Sequence, residues 1–366
     1  MSDLNSKLDA AKEKVAALKQ QIGQQQASKN GASLAQAAGS LDPPLASLRT
    51  PPAIKARRSL KGHFGKVTAM HWGGDAKTLV SASQDGNLLV WNAISSNKLQ
   101  SITLKSSYVM SVGIEQSQNQ LIACGGLDNL CTVYRRGAGG EFSATEMASH
   151  DGFLSCCRFL SEQQLVTASG DSTCILWDVA TAKPVSTFAE HKADAMFLSV
   201  FPDKKTFVSC SVDQTAKVWD VRAPKASVMT FMGHTADVNG VDVMPSDGKC
   251  FATCSQDSTI RVFDTRSVLE LQKFSVPVPP SDNTGNEFMD EATDTFTSVA
   301  FSASGRLLFA GHADSSVYAF DTLGSRSSPV YTLSSAHDRH VSCIGVSPAG
   351  AALATGSWDS QLKIWA

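Results

Sequence analysis

Five sets of a histidine, a serine and an aspartate recur along the chain: His63/Ser83/Asp85, His150/Ser169/Asp171, His191/Ser211/Asp213, His234/Ser255/Asp257 and His337/Ser357/Asp359. These are the residue types of a nucleophilic hydrolase, in which histidine takes the serine proton and a carboxylate holds the imidazole. One such set suffices for catalysis. Five copies, each accompanied by an aromatic residue (Trp91, Trp177, Trp219, Phe263 or Trp365), read instead as a repeated structural hydrogen-bond network. In that network the Asp holds the His of the preceding loop, and His and Ser link to the aromatic residue. Where Phe263 replaces Trp, the last link has no N–H to offer. Two more repeats lack both members: Lys105 and Ala292 lie near the His position, and Gly126 and His312 take the Ser position. Joint loss is what a network predicts, and no catalytic residue is assigned.

Other chemistry finds no footing. The nine cysteines form no CxxC pair and no zinc-like spacing with histidine, so they read as reduced core thiols of an intracellular protein. No phosphate loop, HExxH or EF-hand loop occurs, so neither a cofactor nor a metal is expected. A net charge of −2 gives no electrostatic case for nucleic acid. No run approaches eighteen apolar residues. The N-terminus lacks a signal-peptide pattern, Ser2 stands where myristoylation needs Gly, and no prenylatable Cys lies at the C-terminus. Any membrane association is therefore expected to be indirect.

The elements that position these residues follow from a fixed period. Seven times an Asp precedes an aromatic anchor by six residues: Asp85/Trp91, Asp128/Tyr134, Asp171/Trp177, Asp213/Trp219, Asp257/Phe263, Asp314/Phe320 and Asp359/Trp365. Successive anchors are 43, 43, 42, 44, 57 and 45 residues apart. That period predicts an all-β fold, a seven-bladed WD40 β-propeller over residues 57–366. In the first blade the strands are expected at Val67–Trp72, Thr78–Ser83 and 87–91, with the turn at Gln84-Asp85-Gly86. The last repeat ends at Ala366 without a fourth strand, and residues 57–61 are expected to complete its blade. The gap of 57 marks a polar, Pro-rich insertion at about 272–294.

Residues 1–26 differ in pattern. Leu4, Leu8, Ala11, Val15, Leu18 and Ile22 form an a/d seam, which fits a helix packed on its own domain or a coiled coil with a second chain. The second reading is preferred, because a lone helix of this length is marginal in water. Residues 27–56, rich in Ser, Ala, Gly and Pro, read as a linker.

Loops beside the histidines and the tips of the turns must share one propeller face. Positions three and five after each His give Lys66 and Thr68, Tyr108 and Met110, Phe153 and Ser155, Asp194 and Met196, Asp237 and Asn239, and His340 and Ser342. Among the turn tips, Leu127 and Trp358 carry large apolar side chains. With Tyr108, Met110, Phe153 and Met196 they outline an apolar centre flanked by Lys66, Asp194 and Asp237, the make-up of a protein-binding hot spot.

The segments 62-GHFGKVTAMHW-72, 81-SASQDG-86, 124-CGGLDN-129, 154-LSCCRFL-160, 170-GDSTCILWD-178 and 355-TGSWDSQLKIW-365 resemble the β subunit of heterotrimeric G proteins, from the N-terminal coil to the last residue. The resemblance implies a non-catalytic signalling subunit downstream of G-protein-coupled receptors. It implies a tight dimer with a γ subunit along the N-terminal seam, and capture of a GDP-bound α subunit whose release frees the same face for effectors. The lipids of γ and α would hold this cytoplasmic complex at the inner face of the plasma membrane. The face residues carried over are Lys66, Tyr108, Met110, Leu127, Asn129, Phe153, Asp194, Met196, Asp237, Asn239 and Trp358. Phe64, Leu89 and Lys98 would meet the α subunit's N-terminal helix. Thr68 and Phe153 stand where the family usually has Tyr, Tyr108 where it has Trp, Gln256 where it has an acid, and Asn87 where it has Lys. Each departure shifts the chemistry of a contact. A general WD-repeat scaffold is the competing reading, distinguished by the lack of a γ-type partner.

Overall fold

The computed structural model describes residues 54–137, 139–276, 295–324 and 326–366. The predicted coil at 1–26, most of the predicted linker and most of the insertion lie outside them. Among the described residues the strands build seven four-stranded antiparallel sheets, one per repeat. Blade 1 joins Val67–Trp72, Thr78–Ser83, Asn87–Asn92 and Asn97–Thr103 in chain order, and blades 2 to 6 repeat the plan. The inner strands of the later blades are Val109–Ile114, Leu154–Phe159, Ala195–Val200, Val238–Val243, Phe296–Phe301 and Val341–Val346.

Burial explains why these sequences form these sheets. The second and third strands of each blade are covered on both faces by neighbouring blades, so they read as nearly continuous apolar runs such as Leu79–Ala82 and Leu88–Trp91. The outer strands alternate instead, with one buried anchor each (Ile102, Met147, Phe188, Phe231, Phe274 or Leu333 in blades 1 to 6) among exposed residues. The aromatic anchors pack between blades. Phe188, Phe207 and Trp219 form one such cluster, with Phe188 edge-on to Phe207 at 5.0 Å.

Blade 7 takes its outer strand from the start of the described chain. Ala56–Lys61 pairs antiparallel with Gln361–Trp365, from Ala56 opposite Trp365 to Lys61 opposite Gln361. Leu60 supplies the buried anchor, and Lys55 and Ala366 exchange backbone hydrogen bonds at 3.3 and 3.2 Å. The ring therefore begins earlier than residue 57, because Ala56 already belongs to the strand and Ile54 packs against the core between blades 6 and 7.

The insertion boundary also moves. Residues 272–275, read as loop from sequence, are the end of the outer strand Leu269–Ser275 of blade 5, with Ser275 opposite Thr259. The polar run hides one fully buried anchor, Phe274, which packs against Phe320 of blade 6.

Candidate functional site

The His/Asp network is present in five blades with one substitution of partner. His63 Nδ1 lies 2.9 Å from Asp85 Oδ2, and its Nε2 lies 2.7 Å from the hydroxyl of Ser81, not Ser83. Trp91 donates its indole N–H to the same Ser81 oxygen at 2.8 Å. Thr167, Ser209 and Thr355 bridge His150 to Trp177, His191 to Trp219 and His337 to Trp365 in the same way. Thr253 holds His234 at 2.7 Å beside Phe263, without an indole partner. The predicted serines do different work. Ser83, Ser169, Ser211, Ser255 and Ser357 accept the backbone N–H of Asp85, Asp171, Asp213, Asp257 and Asp359, shaping the turn. Residues two apart on a strand share a face, so both hydroxyls point the same way. Only the deeper one reaches the ring of the aromatic anchor.

The chemistry of this chain of bonds is fixed by its ends. A carboxylate only accepts, so the proton sits on the histidine Nδ1, and the bridging hydroxyl, which accepts from indole, gives its hydrogen to Nε2. Burial lowers the pKa of His63, His150 and His337, outweighing the pull of their carboxylates. Burial works to raise Asp85, but the Phe64 N–H and His63 outweigh it and hold the carboxyl below its ordinary value. A neutral imidazole between satisfied partners is a strut.

Blades 2 and 6 lack this arrangement, and blade 6 builds another. His312, at the former Ser position, lies 3.1 Å from Asp314, and Tyr318 donates its hydroxyl to the other Asp314 oxygen at 2.6 Å.

The network also aims the turns. In all seven blades the tip residue donates its N–H to a carbonyl of the loop three residues beyond the His position: Gln84 to Lys66, Leu127 to Tyr108, Gly170 to Phe153, Val212 to Asp194, Gln256 to Asp237, Ala313 to Thr295 and Trp358 to His340, at 2.9–3.1 Å. Every predicted face residue on these segments is thereby held on one side of the propeller. Tyr108 and Leu127, 60% and 54% exposed, stand side by side through their shared bond. Phe153 lies over Gly170, where even a β-carbon would come within 2.3 Å of its ring. Asn129 takes a left-handed φ of 61° and donates its amide to Asp151 O at 3.1 Å.

Trp358 is the most elaborated point. The Lys66 ammonium sits 3.9 Å from its ring centroid, and His340 packs edge-on at 4.7 Å. Trp358 is 39% exposed, so a preset aromatic surface with a cation on it faces outward. Sequence reasoning named Lys66 and Trp358 separately. Their contact spans blades 1 and 7 and exists only because the ring closes.

Nearer the axis, Met110, Met196 and Asn239 line a cavity of ≈ 170 Å³ in the channel mouth. Several of these positions stitch one blade to the next. Ser155 donates to Ala195 O, Asn239 to Phe296 O at 2.9 Å, Thr297 to Val341 O and Ser342 to Val67 O at 2.6 Å. Asn239 therefore spends an amide hydrogen on the fold.

Of the three residues predicted beside the first blade, Phe64 is 92% exposed and Lys98 is exposed. Leu89 is a correction. It is 2% exposed, packed with Leu60 and Trp91, because that face of the third strand is covered by blade 7. It supports that surface from beneath.

Residues 5–366 match the family described as G protein beta WD-40 repeat protein. The chain is 38% identical over 323 residues to a guanine nucleotide-binding protein subunit beta of Oryza sativa subsp. japonica, covering 84% of this chain and 82% of that one. It is 39% identical to proteins of the same description from Arabidopsis thaliana, over 324 residues, and Solanum tuberosum, over 325, with the same coverage.

Proposed function

The chain belongs to the G protein beta WD-40 repeat family, a non-catalytic one, and from that premise we propose that it works as the β subunit of a heterotrimeric G protein. It pairs with a γ subunit along Leu4, Leu8, Ala11, Val15, Leu18 and Ile22. It captures a GDP-bound α subunit on the face centred on Trp358, and after release it offers that face to effectors. The lipidated γ and α subunits bring it to the inner face of the plasma membrane.

The observation that supports this reading most is the preset cluster of Trp358, Lys66 and His340 beside exposed Tyr108 and Leu127. An aromatic held in place before binding loses little entropy on contact, which is the property of a hot-spot anchor. Control of α needs no reaction. A cap that prefers the GDP-bound conformation stabilises it by differential affinity alone.

The test is co-purification from detergent-solubilised native membranes, first in GDP and then with α driven into its activated state. A small γ chain and an α subunit in GDP, with α alone lost on activation, is the expected result. Recovery of neither, or recovery indifferent to nucleotide, overturns the proposal.

A further inference from the structure

The opposite end of the channel holds a second group of polar residues that neither the network nor the docking face uses. At the fifth position of their inner strands, blades 1, 3, 4 and 5 place His71, Arg158, Ser199 and Asp242, where blades 6 and 7 have Ala300 and Gly345. All six line a cavity of ≈ 350 Å³, room for roughly ten water-sized units. Its remaining wall is largely apolar, with Trp72, Phe197, Phe201, Phe301 and Val346 among the lining residues.

The charges in this lumen are incompletely used. Arg158 donates Nη1 to the carbonyls of Val112 and Cys157 at 2.9 and 2.7 Å, and its guanidinium lies 5.0 Å from the Phe197 ring centroid. Its Nε and Nη2 make no hydrogen bond to a described residue. Asp242 Oδ2 accepts the Phe301 N–H at 2.8 Å, Oδ1 has a long contact from Ser199 at 3.4 Å, and the Val243 N–H also acts on the carboxyl. Among the described residues no ion pair joins Arg158 to Asp242. His71 adds no charge: its Nδ1 accepts the Ile114 N–H, and burial and Arg158 lower its pKa well below the ordinary value. The cavity thus offers the strand-borne Arg158 cation and the Asp242 carboxylate, not ion-paired, between largely apolar walls, with the exposed Lys204 also among its lining residues.

We propose that this end of the channel binds a small apolar zwitterion, an α-amino acid with an aromatic or aliphatic side chain, its carboxylate on Arg158 and its ammonium on Asp242 Oδ1. A lone anion placed there meets Asp242, and a lone cation meets Arg158. Only a molecule carrying both charges satisfies both groups at once, and its side chain covers the apolar wall.

The purified full-length chain, with any partner that co-purifies, is titrated calorimetrically with L-phenylalanine, 3-phenylpropionate (no ammonium) and phenethylamine (no carboxylate). L-Phenylalanine is expected to bind, and each analogue roughly tenfold or more weaker, the worth of a lost charge-assisted hydrogen bond. Asp242→Asn keeps the shape and the acceptor for Phe301 N–H, and should weaken L-phenylalanine by a similar factor without weakening 3-phenylpropionate. Should that variant fail to fold, the three ligands on the native chain decide alone. No binding of L-phenylalanine at millimolar concentration, or equal binding of either analogue, overturns the proposal. Neither outcome bears on α capture, which uses the other face.

Discussion

Thr167 and Thr253 occupy the same place in blades 3 and 5 but hold different numbers of partners. Thr167 serves both His150 and Trp177, whereas Thr253 serves His234 alone, because Phe263 has no N–H. Replacing either by Val strands the histidine nitrogen, and in blade 3 an indole N–H as well. Thr167→Val should therefore cost about 1–2 kcal/mol more than Thr253→Val in chemical denaturation, one extra buried donor left unsatisfied. Equal costs would contradict the network as drawn. The same bonds set a pH profile. His63, His150 and His337 titrate below 6.5 when folded, so the unfolded chain binds more protons as pH falls through that value. Asp85, Asp171 and Asp359 titrate below 3.8 when folded, which acts in the same direction further down. Stability is then expected to decline on acidification, starting near pH 6.5 and steepening below about 4; a melting temperature flat from pH 7 to 4 would contradict it. The members His and Asp were legible in the sequence because their spacing repeats. The bridging hydroxyl was not, since each of the five repeats with the network carries two, as in 81-SAS-83 and 167-TAS-169, and depth along a strand has no sequence mark of its own. A signal existed nonetheless: the deeper hydroxyl is also lost in repeats two and six, to Cys124 and Ala310.

At the scale of the element, each turn ends on a residue in the left-handed region, directly after its Asp. It is Gly86 in blade 1, but Asn129, Ser172, Gln214, Ser258, Ser315 and Ser360 elsewhere, with φ of 59–74°. The Asp bears much of this strain by accepting the N–H two residues on, at 2.9 Å in blade 1 and 3.0 Å in blade 4. Glycine needs no such help. Gln214→Gly is expected to stabilise by on the order of 0.5–1 kcal/mol, and Gly86→Ala, whose β-carbon meets nothing closer than 3.7 Å, to destabilise by about 1 kcal/mol through backbone strain alone. Opposite signs in thermal melts check this. Strand positions followed from the period, and the first blade's inner strands fall where the pattern put them. The start of the insertion did not, because Phe274 is a single anchor in a polar outer strand. Leu89 failed for a related reason: sequence alone does not say which face of a strand between two blades is covered.

At the largest scale the blades of residues 54–366 form a closed ring, and its closure makes the site. Ala56–Lys61 seals blade 7, and that seal brings Lys66 of blade 1 over Trp358 of blade 7. Deleting 54–61 exposes the edge of Gln361–Trp365 and should lower the melting temperature and promote self-association, read by scattering during a melt. An unchanged melt would mean that the strand is ornamental. Under the proposed function this closed face, and no reaction, governs an α subunit. The most direct measurement is the affinity of the purified dimer with γ for GDP-bound and activated α, made with native chain and with Trp358→Ala. Tight binding to the GDP-bound form alone is expected, weakened by about 1–2 kcal/mol or more in the variant while its melt stays native-like. Equal affinity for both nucleotide states, or a variant that captures GDP-bound α as well as the native chain, would contradict it.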